Sequence, residues 1–199
     1  QKQVTVTRLK EAYSIVSQAV LLAQRDHGSP STWSTHSGEI WLDKQQVSTE
    51  FCEQYVIPYI KSPQIHGWKS VKDIGIQNGY VALNKKPIEN GNLTKNVYNY
   101  VIELNNGQIL YFNYNNDNKG TLGQALVYTD INGKKGPNMF GRDAFLFAYD
   151  LSKGRLMPFM YSYSADIEKR CVKDAEWDSI LCANKIIKDG WQIKDDYPW

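Results

Sequence analysis

The sequence predicts an α+β fold: a long N-terminal helix packed on a roughly four-stranded antiparallel meander, closed by a short C-terminal helix. Three observations predict it. Apolar residues recur with a helical period over the first 27 positions. From Val97 the period changes to two. The period-two runs then follow one another with turn-forming residues between them, which is the pattern of a meander.

The chain has 199 residues, the size of one domain. It divides into a helix (1–27), a helix-and-loop region (28–96), a sheet (97–150) and a C-terminal region (151–199). In the first helix Leu9, Tyr13, Val16, Val20 and Ala23 form one stripe, widened by Ala12, Ile15, Ala19 and Leu22. Gly28 suits the position after the last turn, and Pro30 prevents continuation. The helix shows no N-cap residue and opens at Gln1, from which we expect that upstream residues were removed. Residues 29–37 form a loop rich in Ser, Thr and Pro. A second helix is expected from Thr49, with Ser48 as N-cap and Glu50 in its first turn. Phe51, Tyr55 and Tyr59 share one face, with Cys52 and Val56 beside it, and Pro58 bends or ends it.

Residues 62–96 read as irregular. Tyr98, Tyr100, Ile102 and Leu104 then point to one side of a strand, and Asn106-Gly107 predicts a type I′ hairpin turn. Ile109 to Tyr114 is apolar on both faces, as in a central strand. A polar turn over 115–123 leads to the runs Ala125–Thr129 and Ala144–Tyr149. After Pro158 the pattern is loop-like until Ser179 or Asp178 caps a short helix. There Cys182/Ile186 and Ala183/Ile187 make i,i+4 pairs, Gly190 stops the helix, and Trp191 follows as an apolar contact.

Hydrophobic residues make up 42% of the chain, enough for a globular core. The formal charge of +2, from 23 basic and 21 acidic residues, offers no electrostatic basis for nucleic-acid or anionic-membrane binding. Purely apolar runs such as Ala19 to Ala23 are too short to span a bilayer. No signal peptide is visible. Of three cysteines, Cys171 and Cys182 bracket a short C-terminal segment and Cys52 lies in the second helix. Joining 171 to 182 would stabilise by about 3 kcal/mol and imply an oxidising compartment. Spacing alone leaves three single pairings open, and three free thiols as well.

The segment Asp130 to Asp143 begins like a hard-cation loop, with oxygen side chains at alternate positions and a glycine to turn the backbone. It is not an EF-hand, because Gly133 comes too early and Gly141 stands where that motif needs a bidentate Glu. Read for calcium, Asp130 and Asn132 supply side-chain oxygens, a carbonyl near Lys134 a third, and Asp143 a returning carboxylate. Read as structure, Asp130 and Asn132 bond their own backbone as Asx turns, and the glycines serve positive φ. The basic neighbours Lys134, Lys135 and Arg142 count against a cation.

His27, His36 and His66 follow no metal spacing. A Cys52/His66 nucleophile pair lacks an orienting third group, and no phosphate loop or Gly-x-Ser-x-Gly elbow occurs. The tryptophans Trp33, Trp41 and Trp68 could stack on sugar rings if exposed; packing onto the sheet is the plainer reading. Asn92-Leu93-Thr94 matches a glycosylation sequon.

The order of these parts resembles a bacterial type IV pilin-like protein or pseudopilin, of the class with prepilin-type N-terminal cleavage and methylation. The motifs that carry the resemblance are Leu104-Asn105-Asn106-Gly107, the loop from Thr129 to Phe147 with its Asp-x-Asn-Gly, Lys-Gly-Pro-Asn and Gly-x-Asp elements, and the ending from Cys182 to Trp191. On this resemblance the family's apolar, Phe-started helix lies upstream of Gln1. It implies a non-enzymatic filament subunit whose partners are other pilin-like subunits. It places the protein at the cell surface or in the periplasm, inner-membrane-anchored before assembly, with membrane contact only through that upstream helix and the sheet facing outward. It also implies a Cys171–Cys182 disulfide with Cys52 free, and a calcium at Asp130, Asn132 and Asp143. The rival expectation is a secreted calcium-dependent binding module for glycans.

Overall fold

The structure, a computed structural model of the chain, describes residues 1–33, 43–88, 93–115 and 124–199. The α+β class holds. Four helices, α1 (Lys2–His27), α2 (Lys44–Tyr55), α3 (Ile167–Arg170) and α4 (Cys182–Lys188), accompany six strands. These are β1 (Gln64–Ser70), β2 (Tyr98–Glu103), β3 (Ile109–Asn115), β4 (Gln124–Asp130), β5 (Ala144–Asp150) and β6 (Arg155–Pro158). They form one sheet in the order β1-β2-β3-β4-β5-β6, each antiparallel to its neighbour.

The sheet therefore has six strands where the pattern predicts about four, and both additions are edges. In β1, Gln64-Ile65-His66-Gly67-Trp68-Lys69-Ser70 shows no alternation, and its pairing with β2 slips between Ile65 and Gly67. An edge strand with one solvated side has no need of a regular apolar pattern. β6 has only four residues and ends on a proline, a residue that edge positions tolerate. β3 is third in the order, which accounts for its burial on both faces.

Side-chain alternation sorts the sheet into two sides. On one side lie Tyr100, Phe112, Phe145, Phe147 and Tyr149, and helices α1 and α2 cover them. Tyr13 of α1 meets Phe147 edge to face at 5.2 Å, and its hydroxyl donates to the Leu156 carbonyl at 2.9 Å. Leu9, Ala12, Val16, Ala19, Val20 and Ala23 are buried along α1, with Tyr13 and Ile15 partly so; Leu22, read as part of the same stripe, is exposed instead. Phe51 of α2 packs near Phe112, Tyr114 and Tyr149. Small Ala residues among the buried positions of α1 let the helix approach the sheet closely.

The other side of the sheet is not bare. Loop 71–88 and loop 131–143 lie over it: Tyr80 contacts Tyr111, and Phe140 contacts both Tyr80 and Tyr128. The C-terminal segment packs on these loops in turn, with the Asn84 N–H donating to the Ala175 carbonyl and the Tyr197 hydroxyl to that of Gly141. What faces outward on that side is a layer of loops, because the sheet's second face is apolar too and must also be covered.

Three local expectations change. α2 starts at Lys44 rather than Thr49: Asp43 caps it by accepting the Gln45 N–H at 2.9 Å. Ser48 is instead buried within the helix, where its Oγ accepts the Tyr114 N–H at 2.9 Å. The 104–108 hairpin is not a type I′ turn, since Gly107 has φ 79° while Asn106 does not have positive φ. Gly107 N–H bonds Leu104 O and Leu104 N–H bonds Gln108 O, the arrangement of a type I turn closed by a left-handed glycine. α4 is entered from a 3-10 turn, Trp177–Leu181, and neither Ser179 nor Asp178 caps it by a side chain. Its far end is as expected: Gly190 (φ 76°) bonds Ile187 O and Trp191 N–H bonds Ile186 O, a Schellman closure. Residue Trp41, residue His36, the turn 116–123 and Asn92 of the sequon fall outside the described residues.

Candidate functional site

The end of β4 and the start of β5 are in register, Asp130 opposite both Ile109 and Ala144. Alternation then places Asp130 on the same side as Tyr111 and Tyr128, facing the loop layer. Asp130 is fully buried, and Asp143 is nearly so. The Tyr80 hydroxyl donates to Asp130 Oδ2 at 2.6 Å, and Tyr80 and Tyr111 hydroxyls lie 2.9 Å apart. With its hydrogen spent on Asp130, Tyr80 accepts from Tyr111. Asp130 Oδ1 accepts the Asn132 N–H at 3.0 Å, an Asx turn. Asp143 turns the other end of the loop: Oδ1 accepts the Met139 N–H at 2.6 Å and Oδ2 the Asn138 N–H at 2.8 Å. Asn132 Nδ2 joins the two ends, lying 3.3 Å from Asp143 Oδ2 and 3.3 Å from the Gly136 carbonyl.

Two glycines make this packing possible. Gly133 has φ 69°, and a Cβ there would collide with the carbonyl oxygen of Gly107. The 131–143 loop thus rests directly on the β2–β3 hairpin. Gly141 has φ 82°, and a Cβ there would come within 3.2 Å of Cys182 Sγ. That closeness seats the loop against the disulfide Cys171–Cys182, whose Cα atoms are 5.1 Å apart.

Burial raises the Asp130 carboxyl to about 8, the nearby Asp143 carboxylate adding to the rise and the Tyr80 and backbone donors opposing it. Burial also raises Asp143, against the pull of the Met139 and Asn138 amides. Tyr80 and Tyr111 are pushed upward by burial as well. Chemically the arrangement is a buried carboxyl at Asp130 that favours its protonated form, joined to the Tyr80 and Tyr111 hydroxyls.

The three residues expected to bind calcium do converge, but their donor set does not fit the ion. Each of the four carboxylate oxygens already accepts an N–H or O–H. Calcium asks for about six to eight oxygens directed at one point. Among the described residues no group of three or more His, Cys, Asp or Glu is assembled to hold a metal. The geometry matches the Asx-turn reading at Asp130 but not at Asn132, whose amide nitrogen bonds Gly136 and Asp143 while its Oδ1 is buried without a partner among the described residues.

The remaining candidates are dispersed. The disulfide expectation is met, and Cys52 is free and buried. His66 lies 3.1 Å from Glu103, and Cys52 is fully buried, with burial pushing its thiol up, away from the thiolate a nucleophile needs. His27 packs edge-on against Tyr55. Trp33 is buried and stacked on Tyr55 at 4.0 Å, and Trp68 packs partly against the core. Neither forms an open sugar platform. Tyr80 was beyond sequence reasoning, since it stands in a stretch without periodicity and acquires its role only by meeting Tyr111 and Asp130.

The chain belongs to a family described as a family of unknown function (DUF6613), whose model matches residues 1–199. Neither the curated proteins nor the solved structures contain a match.

Proposed function

We propose that this chain is the globular head of a type IV pilin-like or type II secretion-like filament subunit, non-enzymatic, with other such subunits as its partners. The observation that carries the reading is α1: a 26-residue helix half-embedded along a purely sequential antiparallel meander. A helix of this kind keeps its second face for a neighbour; here Val4, Leu21 and Leu22 are exposed on it. The disulfide that fastens the C-terminal segment agrees with an oxidising location at the cell surface or periplasm. The inner-membrane anchor of such a subunit would be an upstream helix. None of the helices described is long and apolar enough to cross a membrane.

The test is direct. Antibody raised against residues 1–199 is applied to cells of the source organism and to the filaments sheared from them. The expected result is labelling of filaments, with an unassembled pool in the membrane fraction. Recovery of the chain solely as a freely secreted protein overturns the proposal.

A further inference from the structure

Beside the buried carboxylates a cavity of about 410 Å³ opens between the first turns of α1, the 131–143 loop and the C-terminal Trp199, with Asp143 and Asn132 of their hydrogen-bond network on its wall. Two guanidinium groups line it, Arg8 and Arg142. Neither has a carboxylate partner among the described residues. Arg8 Nη1 donates to the Ile131 carbonyl at 2.8 Å, which fixes its head and leaves its other N–H groups unspent. Arg142 lies over the Trp199 ring at 5.4 Å, and its Nε–H is buried without an acceptor. Asp143 also borders the cavity; its oxygens accept from Met139, Asn138 and Asn132, and it forms no direct ion pair with either arginine. The rest of the wall is mixed: Val4, Ile131, Pro137 and Trp199 give it apolar surface, and Gln1, Thr5 and Asn132 add polar groups.

Arginine forks match carboxylates in a bidentate fashion, and a ring-stacked arginine is pre-organised for it. A cavity with a few fixed polar groups in an apolar wall is the usual form of a small-molecule site. We infer that this cavity binds a small organic carboxylate, the acid group held between Arg8 and Arg142 and an apolar or planar body against Trp199 and Pro137.

The experiment is a ¹H–¹⁵N NMR titration of the 1–199 chain with benzoate, with acetate and inorganic phosphate as comparison probes. The expected result is saturable shifts of the Trp199 indole and the Arg8 and Arg142 Nε–H resonances with benzoate, and weaker binding of acetate and phosphate. Arg142→Gln, with unchanged spectral dispersion elsewhere, should weaken benzoate binding by about tenfold or more, the loss of a charge-assisted hydrogen bond. Arg142→Lys should restore it only in part, since an ammonium lacks the fork. Should Arg142→Gln not fold, Arg8→Gln makes the same test from the α1 side. Absence of saturable shifts in the parent, binding unchanged in the folded variants, or phosphate binding as tightly as benzoate each overturns the inference.

Discussion

The two sides of the sheet are held by different physics. Toward α1 and α2 the contacts are aliphatic and aromatic, with Val16, Val20, Phe51, Phe112 and Phe147 buried together. Such packing is non-directional, and its strength scales with the area removed from water. Toward the loops, a few directional bonds decide the structure: Tyr111–Tyr80–Asp130 on one strand end and Asp143 on the Asn138 and Met139 amides at the other. The difference teaches where each side is vulnerable. The helix side tolerates changes of shape and fails on a change of polarity. The loop side fails when one hydrogen-bond partner is removed, because the other partner stays buried and unsatisfied.

The largest effect should come from breaking the helix side by polarity. Val16→Asp places an unpaired carboxylate against the sheet and should cost more than about 4 kcal/mol, a large fraction of a typical domain's stability, whereas the volume-conserving Leu9→Met should cost less than about 1.5 kcal/mol. Urea denaturation of the pair measures both, and similar midpoints would show that α1 is not packed as described.

On the loop side the covalent fastener comes next. Replacing Cys171 and Cys182 together by serine should lower stability by about 3 kcal/mol, the value for closing a short loop. Alkylation of the unreduced parent in denaturant should modify a single thiol, Cys52, as read by intact mass.

A subtler break keeps the shape and changes one atom. Asp143→Asn preserves volume but turns an amide NH2 toward the Met139 or Asn138 N–H, and should cost about 1–3 kcal/mol. Thermal melts at fixed pH report it. A neutral outcome would mean the loop is held by apolar contacts like the helix side.

The two sides should also differ in their response to pH. Asp130 is raised to about 8 in the folded chain, while an unfolded Asp titrates near 3.9. Between those values the folded state keeps a proton that the unfolded state has lost, so unfolding releases it. The contribution is fully present below about pH 4 and is lost as pH rises to about 8, by at most about 1.4 kcal/mol per pH unit. Asp143, raised as well, acts in the same sense. Asp73, Asp150 and Asp196 are lowered and so act on the acid side of this window. Denaturation curves from pH 5 to 8 should show falling stability in the parent and a flatter profile in Asp130→Asn. The smallest expected effect is that of calcium. Melts in millimolar calcium and in chelator should coincide; a calcium-dependent rise abolished by Asp130→Ala would reinstate a cation among Asp130, Asn132 and Asp143.

How much of this was legible depended on whether a feature was local. The buried stripe of α1, the central position of β3 and the Gly190 closure of α4 follow from periodicities and glycines within a few residues. β1 and β6 were not legible, because edge strands are half-solvated and carry no strict pattern. Ser48 was misread as a cap because a serine's wish for a backbone partner is visible in sequence, but the partner, Tyr114 of β3, is not.

For the candidate site the division is sharper. By itself the sequence determined that Asp130 and Asp143 stand at two strand ends and that glycines shape the loop between them, since both are matters of spacing and backbone freedom. Only the tertiary structure decided what those carboxylates do. It brought Tyr80 from a patternless loop and Tyr111 from β3 onto Asp130, and spent the Asp143 oxygens on amides. It also left Arg8 and Arg142, separated by most of the chain, without carboxylate partners at one cavity. Hydrogen bonds and charges act through space over a few ångströms, so residues far apart in sequence have no electrostatic meaning for each other until the sheet has placed them.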